Sequence, residues 1–297
     1  MRAATALAAL LLAASPAVAR MHAGPSQLHA GHRLQGAIAP LDGGGAFASP
    51  AAAYSLRKLK SAYAGPGIKL RRASDNATQD INFLGFTGFT GAPLDVAAAA
   101  TFCNATTCFG DTWYDQSGTA RHMVQATAAN QYQYVANCGT GLPCLRATAV
   151  TQGMASAGTL TPATGVVSFS AVANRSVGLG YCTWLRENTV ANRFSGDAVA
   201  GQWRLDGGTS GSILAAAADN AWHSAQAVMN GAGSSIMVDG TTTTGTVTGN
   251  TVAGFVQITG DTASTCGLAE SVVWDNYALS LAERQALTNN QRAFWGF

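Results

Sequence analysis

Apolar and polar residues alternate with a period of two in several short runs, and each run ends at Gly, Asn or Asp. In SSIMVDG (Ser234–Gly240), Ile236 and Val238 point one way while Met237 and Asp239 point the other. The other runs are GIKLRRAS (Gly67–Ser74), GDTWYDQ (Gly110–Gln116), GVVSFSAVANR (Gly165–Arg175), AGQWRLDGG (Ala200–Gly208), HSAQAVMNG (His223–Gly231), GFVQITGD (Gly254–Asp261) and LAESVVW (Leu268–Trp274). Their β-branched and aromatic content predicts strands. The segment Ala225–Gly240 reads as a hairpin turning at NGAG (Asn230–Gly233). Helical spacing is rare. Tyr54–Tyr63 (YSLRKLKSAY) reads as a short helix, with apolar residues at Tyr54, Leu56, Leu59 and Tyr63, and Ala-rich Leu94–Cys103 as a second. Ser280 and Glu283 form a capping box ahead of a helix over Arg284–Phe294, whose aromatic end is expected to dock on the body. The prediction is two packed antiparallel sheets with minor helices.

The ends of the chain read differently. Met1-Arg2 is a positive start, Ala3–Ala14 is apolar, and Pro16-Ala17-Val18-Ala19 supplies small residues at a cleavage-site spacing. The run is too short for a bilayer of about 30 Å, so residues 1–19 are expected to be a signal peptide and the protein to be exported, soluble and not membrane-bound. Residues 20–50 are rich in Ala, Gly and Pro and read as a linker, with His22, His29 and His32 solvated in it. Residues 51–297 show no second linker and no fixed repeat, and fit one all-β domain.

Export changes the meaning of Cys103, Cys108, Cys138, Cys144, Cys182 and Cys266, which are expected to be disulfide-paired rather than metal-binding. Six cysteines allow fifteen connectivities. Two short loops suggest themselves, Cys103 with Cys108 and Cys138 with Cys144, which leaves Cys182 for Cys266. No spacing is CxxC, so no metal or other cofactor is expected. Charged residues make up 11% of the chain and the net charge is +2, against about 25% charged in an average soluble protein. That excludes a phosphate-neutralising patch for nucleic acid and suits a neutral extracellular partner, a polysaccharide.

One quarter of the chain carries a sharper pattern. AYSLRKLKSAYAGPGIKLRRASDNATQDI, then FCNATTC, then WYDQSGTARHMVQAT run in order between Ala53 and Thr127. This series resembles the catalytic domain of the α-L-arabinofuranosidase B family. The resemblance implies a two-sheet antiparallel jelly-roll sandwich of concanavalin A-like type. It also implies a glycoside hydrolase that removes terminal L-arabinofuranose from plant polysaccharides with retention. Within the series, Asp115 and Ser117 can bond their own backbone to set a turn, so Asp115 is read as scaffold.

A retaining glycosidase needs two carboxyl groups about 5–5.5 Å apart. The resemblance puts Asp206 (Leu205-Asp206-Gly207-Gly208) at the place of the nucleophile and Asp261 (Thr259-Gly260-Asp261) at that of the acid/base. Asp206 is one methylene shorter than the family's Glu, and the family's adjacent cysteine pair is missing, since Cys182 stands alone. Glu187 and Glu270 are further acids, with Glu270 read as structural, and His122 and His223 are read as scaffold. Trp184, Trp203 and Trp222 are expected to stack on sugar. The alternative function is a carbohydrate-binding or adhesion module of the same fold, without turnover. In either case the expected partner is an arabinose-containing or other neutral glycan.

Overall fold

The computed structural model describes residues 39–297, apart from 86–90, 140, 148, 150, 161–162, 176–180, 188–192, 197–200, 208–210, 218, 249–253 and 262–265. The expected signal peptide and the histidines at 22, 29 and 32 lie outside the described residues. Among the described residues no helix is long and apolar enough to cross a membrane.

The strands, in chain order, are β1 (Ala52–Ser55), β2 (Ile68–Arg72), β3 (Thr78–Ile81), β4 (Cys108–Trp113), β5 (Met123–Val124), β6 (Gln133–Val135), β7 (Cys144–Ala147), β8 (Gly153–Leu160) and β9 (Val167–Arg175). They continue with β10 (Tyr181–Glu187), β11 (Arg193–Gly196), β12 (Gln202–Asp206), β13 (Ser212–Ala217), β14 (Trp222–Met229), β15 (Gly231–Val238), β16 (Thr241–Val247), β17 (Gly254–Asp261) and β18 (Cys266–Asp275). Helix α1 spans Val96–Phe102 and α2 spans Leu281–Trp295.

The described pairings are antiparallel and build two layers. The first runs β16-β15-β14-β9-β18, with β1 and β7 sharing the far side of β18. The second runs β8-β17-β10-β11-β12-β13. The short strands β6, β4 and β5 lead from β7 round to β8, with β2 and β3 added at β4. The fold is the expected antiparallel sandwich.

Alternation explains the core. On β9, Phe169, Ala171 and Ala173 face inward, and Phe169 stacks on Phe194 of β11 at 6.2 Å between ring centroids. Phe194 in turn meets Trp203 at 5.5 Å, and Trp203 meets Trp184 at 3.9 Å. Cys182–Cys266 ties the second layer to the first beside this aromatic cluster, closing a separation of 84 residues. Cys103–Cys108 and Cys138–Cys144 form as their spacing suggested.

The outer face of the first layer carries α2. Its capping box is formed: the Ser280 hydroxyl accepts from the Glu283 amide while the Glu283 carboxylate accepts from the Ser280 amide. The helix runs from Leu281, three residues before the expected start. Its buried side includes Thr288, Gln291 and Trp295, so the aromatic end does dock. The contact is polar. Gln291 donates to Ser170 Oγ (3.0 Å) and Glu270 Oε1 (2.8 Å) and accepts from Ser224 Oγ (2.5 Å) and Gln226 Nε2 (2.9 Å). Beneath it lies a fully buried ion pair. Arg57 Nε donates to Glu270 Oε2 at 2.6 Å and its NH2 to Oε1 at 3.1 Å, while Ser55 Oγ donates to Oε2 at 3.0 Å. Burial alone pushes the Glu270 pKa up, but the Arg57 charge and these hydrogen bonds prevail and hold it below the usual value.

Two readings change. Tyr54–Tyr63 is not a helix: Ala52–Ser55 is strand β1, paired with Glu270–Val273 and buried throughout. The helical spacing lost to a ladder partner that only the tertiary fold supplies, as happens when propensity meets tertiary context. The end of the expected linker also belongs to the body. Ala39 and Leu41 are buried, and Phe47 stacks on Trp274 at 5.9 Å.

Glu270→Gln leaves Arg57 facing no charge and is expected to cost about 3–5 kcal/mol, read from urea unfolding. A depressed pKa in the folded protein stabilises above the unfolded value, near 4.5 for glutamate, and that stability disappears as pH falls through the folded pKa. The gap between wild type and variant should therefore narrow in acid, and a constant gap would refute an ionised Glu270. Replacing Cys182 and Cys266 by Ser should cost about 2–5 kcal/mol, more than opening either small loop.

Candidate functional site

Asp115 follows β4, and its carboxylate is saturated. Oδ1 accepts from the amides of Ala53 (2.8 Å) and Ser117 (2.9 Å). Oδ2 accepts from Ser117 Oγ (2.7 Å), Thr119 Oγ1 (2.8 Å) and the Arg121 amide (3.0 Å). Such a group holds a loop and has no lone pair to spare for chemistry. Cys103–Cys108 staples the entry to β4, and Gly118 takes a positive φ of 99° to complete the turn. Trp113 goes to the core while Tyr114 turns outward to donate to Asp80 Oδ1 at 2.6 Å. His122 Nδ1 accepts from the Asp115 amide at 3.0 Å, a scaffold contact.

The outer face of the second layer is polar. Directly paired residues of an antiparallel sheet share a face, so Asp206 of β12, Arg193 of β11 and Arg186 of β10 form one row. Arg204, Ser195 and Thr183 form the next. Asp206 Oδ2 accepts from Arg193 NH2 at 2.8 Å and from Arg204 NH2 at 3.0 Å, and Asp206 is only 5% exposed. Beside this cluster, Thr183 Oγ1 and Ser195 Oγ are buried and have no hydrogen-bond partner among the described residues. An unmet buried hydroxyl is costly, and these two lie on neighbouring strands.

Asp206 and Asp261 stand apart in the backbone register of the second layer. Asp206 leads across Arg193 and Arg186 to Gln257, while Asp261 stands opposite Tyr181, four residues further along β17. Three strand spacings across and four residues along put the two backbones about 20 Å apart. Two aspartate side chains reach only a few ångströms each, so the register does not give the 5–5.5 Å separation of a retaining pair. At its own position the Asp206 carboxylate anchors two guanidinium groups, those of Arg193 and Arg204. The side chains of Asp261 and Glu187 lie outside the described residues.

Two of the three tryptophans are also corrected. Trp184 and Trp203 are 1% and 0% exposed and stack on each other in the core, leaving no ring face for a sugar. They point inward because Thr183, Ser195 and Arg204 hold the outward positions. Trp222 is half-buried and lines a cleft of about 470 Å³ on the outer face of the first layer. Its neighbour His223 sits between Asp239 (Nδ1 to Oδ2, 2.7 Å) and Asp219 (Nε2 to Oδ1, 3.0 Å). Burial of the ring pushes its pKa down, but the hydrogen bonds and charges of the two carboxylates outweigh this and raise it. Both ring nitrogens are engaged, as a scaffold residue requires.

Sequence reasoning missed Arg57, Arg193, Arg204, Thr183 and Ser195. One signal was present: in a strand, residues two apart share a face, so Arg204 and Asp206 had to be neighbours.

The pattern of the family described as α-L-arabinofuranosidase B, catalytic, fits residues 43–159. A probable α-L-arabinofuranosidase B of Aspergillus fumigatus is 43% identical over 76 residues, 26% of this chain and 14% of that protein. The α-L-arabinofuranosidase of Hypocrea jecorina is 41% identical over 76 residues, again 26% of this chain and 14% of that protein. Among solved structures, an arabinofuranosidase complexed with arabinofuranosyl-α-1,2-xylobiose superposes with a TM-score of 0.66 at 19% identity. A GH54 α-L-arabinofuranosidase soaked with a cyclic sulfate inhibitor gives 0.64 at 18%. Both likenesses cover 85% of this chain and 64% of the other, so the chain spans about two thirds of those structures and far less of the curated relatives it matches. The sandwich is thus the fold of the GH54 arabinofuranosidases, and within it residues 43–159 carry the sequence pattern of the α-L-arabinofuranosidase B catalytic family.

Proposed function

We propose that this protein is a secreted glycoside hydrolase of arabinofuranosidase type, which releases terminal L-arabinofuranose from plant polysaccharide. The family pattern over residues 43–159 supports the reaction class. The observation that carries the substrate class is the outer face of the second layer. There the unpartnered hydroxyls of Thr183 and Ser195 lie beside the Arg193–Asp206–Arg204 cluster, in a chain with few charges to offer an ionic ligand. Hydroxyls without partners recognise hydroxyls, and a sugar brings several.

Asp261 is assigned the proton transfer to the leaving oxygen. Asp206 is assigned to positioning: its charge holds Arg193 and Arg204 against the sheet, and a carboxylate so neutralised is a poor nucleophile. A second reading, a glycan-binding sandwich without turnover, is favoured by that same separation of Asp206 from Asp261.

The test is hydrolysis of p-nitrophenyl α-L-arabinofuranoside. The wild type should release p-nitrophenol, and Asp261→Asn should lower kcat about a hundredfold or more, the usual share of a general acid. Full activity in Asp261→Asn would remove that assignment. Asp206→Asn should lower the melting temperature. A loss of kcat in folded Asp206→Asn as large as that in Asp261→Asn would restore it as nucleophile. Saturable binding to arabinoxylan with no release of sugar would establish the binding module instead.

A further inference from the structure

The cleft beside Trp222 is built by a single row of paired residues across four neighbouring strands of the first layer. Trp222 of β14 pairs with Asn174 of β9, Asn174 with Gly267 of β18, and Gly267 with Arg146 of β7. All four point outward, on the side that carries α2, whereas the Asp206 cluster lies on the outer face of the other layer. Gly267 is the gap in the row. A Cβ there would stand 2.9 Å from Trp222 Cη2, 3.1 Å from Trp222 Cζ2 and 3.5 Å from Asn174 Cβ. Only glycine therefore lets the indole lie down against β18.

The ring is fixed as well as bedded. Its Nε1 donates to the carbonyl of Cys138 at 2.9 Å, and Cys138 is itself held by the disulfide to Cys144. Behind the ring, Pro143, Ala269 and Trp295 line a small void that also touches Trp222. The ring thus stands between that apolar backing and the open cleft of about 470 Å³. Rigid aromatic surface of this kind binds a ring-shaped ligand at little entropic cost.

The polar groups at the cleft are two amides and one cation. Asn174 Nδ2 donates to the Asn220 carbonyl, which orients the amide at the rim. Arg146 reaches only the Cys138 sulfur, NH2 to Sγ at 3.9 Å, and makes no salt bridge among the described residues. In a chain with only 17 Lys and Arg, a guanidinium without a carboxylate beside an immobilised indole is an anion site next to a stacking platform. Guanidinium is matched in shape to a carboxylate, which it grips through two parallel hydrogen bonds.

We propose that this cleft is a second glycan-binding site, separate from the second-layer face, and that it takes a sugar unit bearing a carboxylate: a uronic acid residue of an acidic polysaccharide. The ring of that sugar stacks on Trp222, its carboxylate pairs with Arg146, and its hydroxyls meet the amides of Asn174 and Asn220. No bond is made or broken there. The site would hold the protein on a substrate whose neutral side chains are handled at the other layer.

The experiment is isothermal titration of the full chain with two oligosaccharides of equal length, one a xylo-oligosaccharide carrying a glucuronic acid branch and the other its neutral counterpart. Wild type should bind the acidic one at least tenfold more tightly. Arg146→Gln should erase that preference, because the guanidinium makes no ion pair whose loss would unfold the body. Raising the salt concentration should weaken only the acidic ligand. Trp222→Ala, checked for an intact thermal transition, should abolish binding of both. Equal affinity for the two ligands, a preference that survives Arg146→Gln, or no binding at all would each overturn the proposal. None of these results depends on arabinoside hydrolysis, so the proposed reaction can fail while this site stands.

Discussion

The ion pair of Arg57 and Glu270 is the constraint around which the rest is arranged. Both side chains are wholly buried, and neither could be left there alone. The pair fixes register, because Glu270 stands opposite Ser55 in the ladder and takes its hydroxyl as well. A slip of one residue would turn the carboxylate to the aromatic core on one side. The same carboxylate then reaches outward to Gln291, so the position of β1 on β18 and the seating of α2 on the first layer are decided by one group. Arg57 repeats the link from its own side, donating to Asn290 at 2.6 Å and lying 5.0 Å from the Phe294 ring centroid.

That arrangement determines which surfaces remain for function. With α2 locked over the first layer, the row from Trp222 to Arg146 lies at an end of its strands. Among the described residues no helix lies across the second layer, and its outer face keeps polar side chains. Cys182–Cys266 makes the two faces mechanically one body, since it spans the layers directly beneath β10.

The sequence showed those parts of the fold that local chemistry decides. β9, β12, β14, β15, β17 and β18 were legible because their runs are rich in β-branched and aromatic residues and are bounded by Gly, Asn or Asp. The NGAG turn was legible because Gly231 takes a φ of 57° that few other residues accept. The short disulfides were legible from spacing. β1 was not, because it is only four residues long and opens a stretch whose apolar residues Tyr54, Leu56, Leu59 and Tyr63 carry helical spacing. Nor were β8, β13 and β16, whose Gly, Ala, Ser and Thr give almost no contrast between faces. The tryptophans mislead for a related reason. A half-exposed sugar platform and a core residue share one composition, and only register separates Trp222 from Trp184 and Trp203.

Scarcity of charge explains why the acids were harder to assign than the strands. In a chain with 15 Asp and Glu, an acid well inside the body looks functional by its rarity. Asp115, Asp206 and Glu270 are all buried, yet each accepts from donors within the scaffold: the amides of Ala53 and Arg121 for the first, Arg193 of the next strand and Arg204 of its own for the second, Arg57 and Gln291 for the third. Burial of a carboxylate therefore marks a junction of the scaffold here, since only a fully met acid tolerates removal from water. A reacting carboxylate has the opposite requirement, because it must keep a lone pair or a proton uncommitted until the sugar arrives.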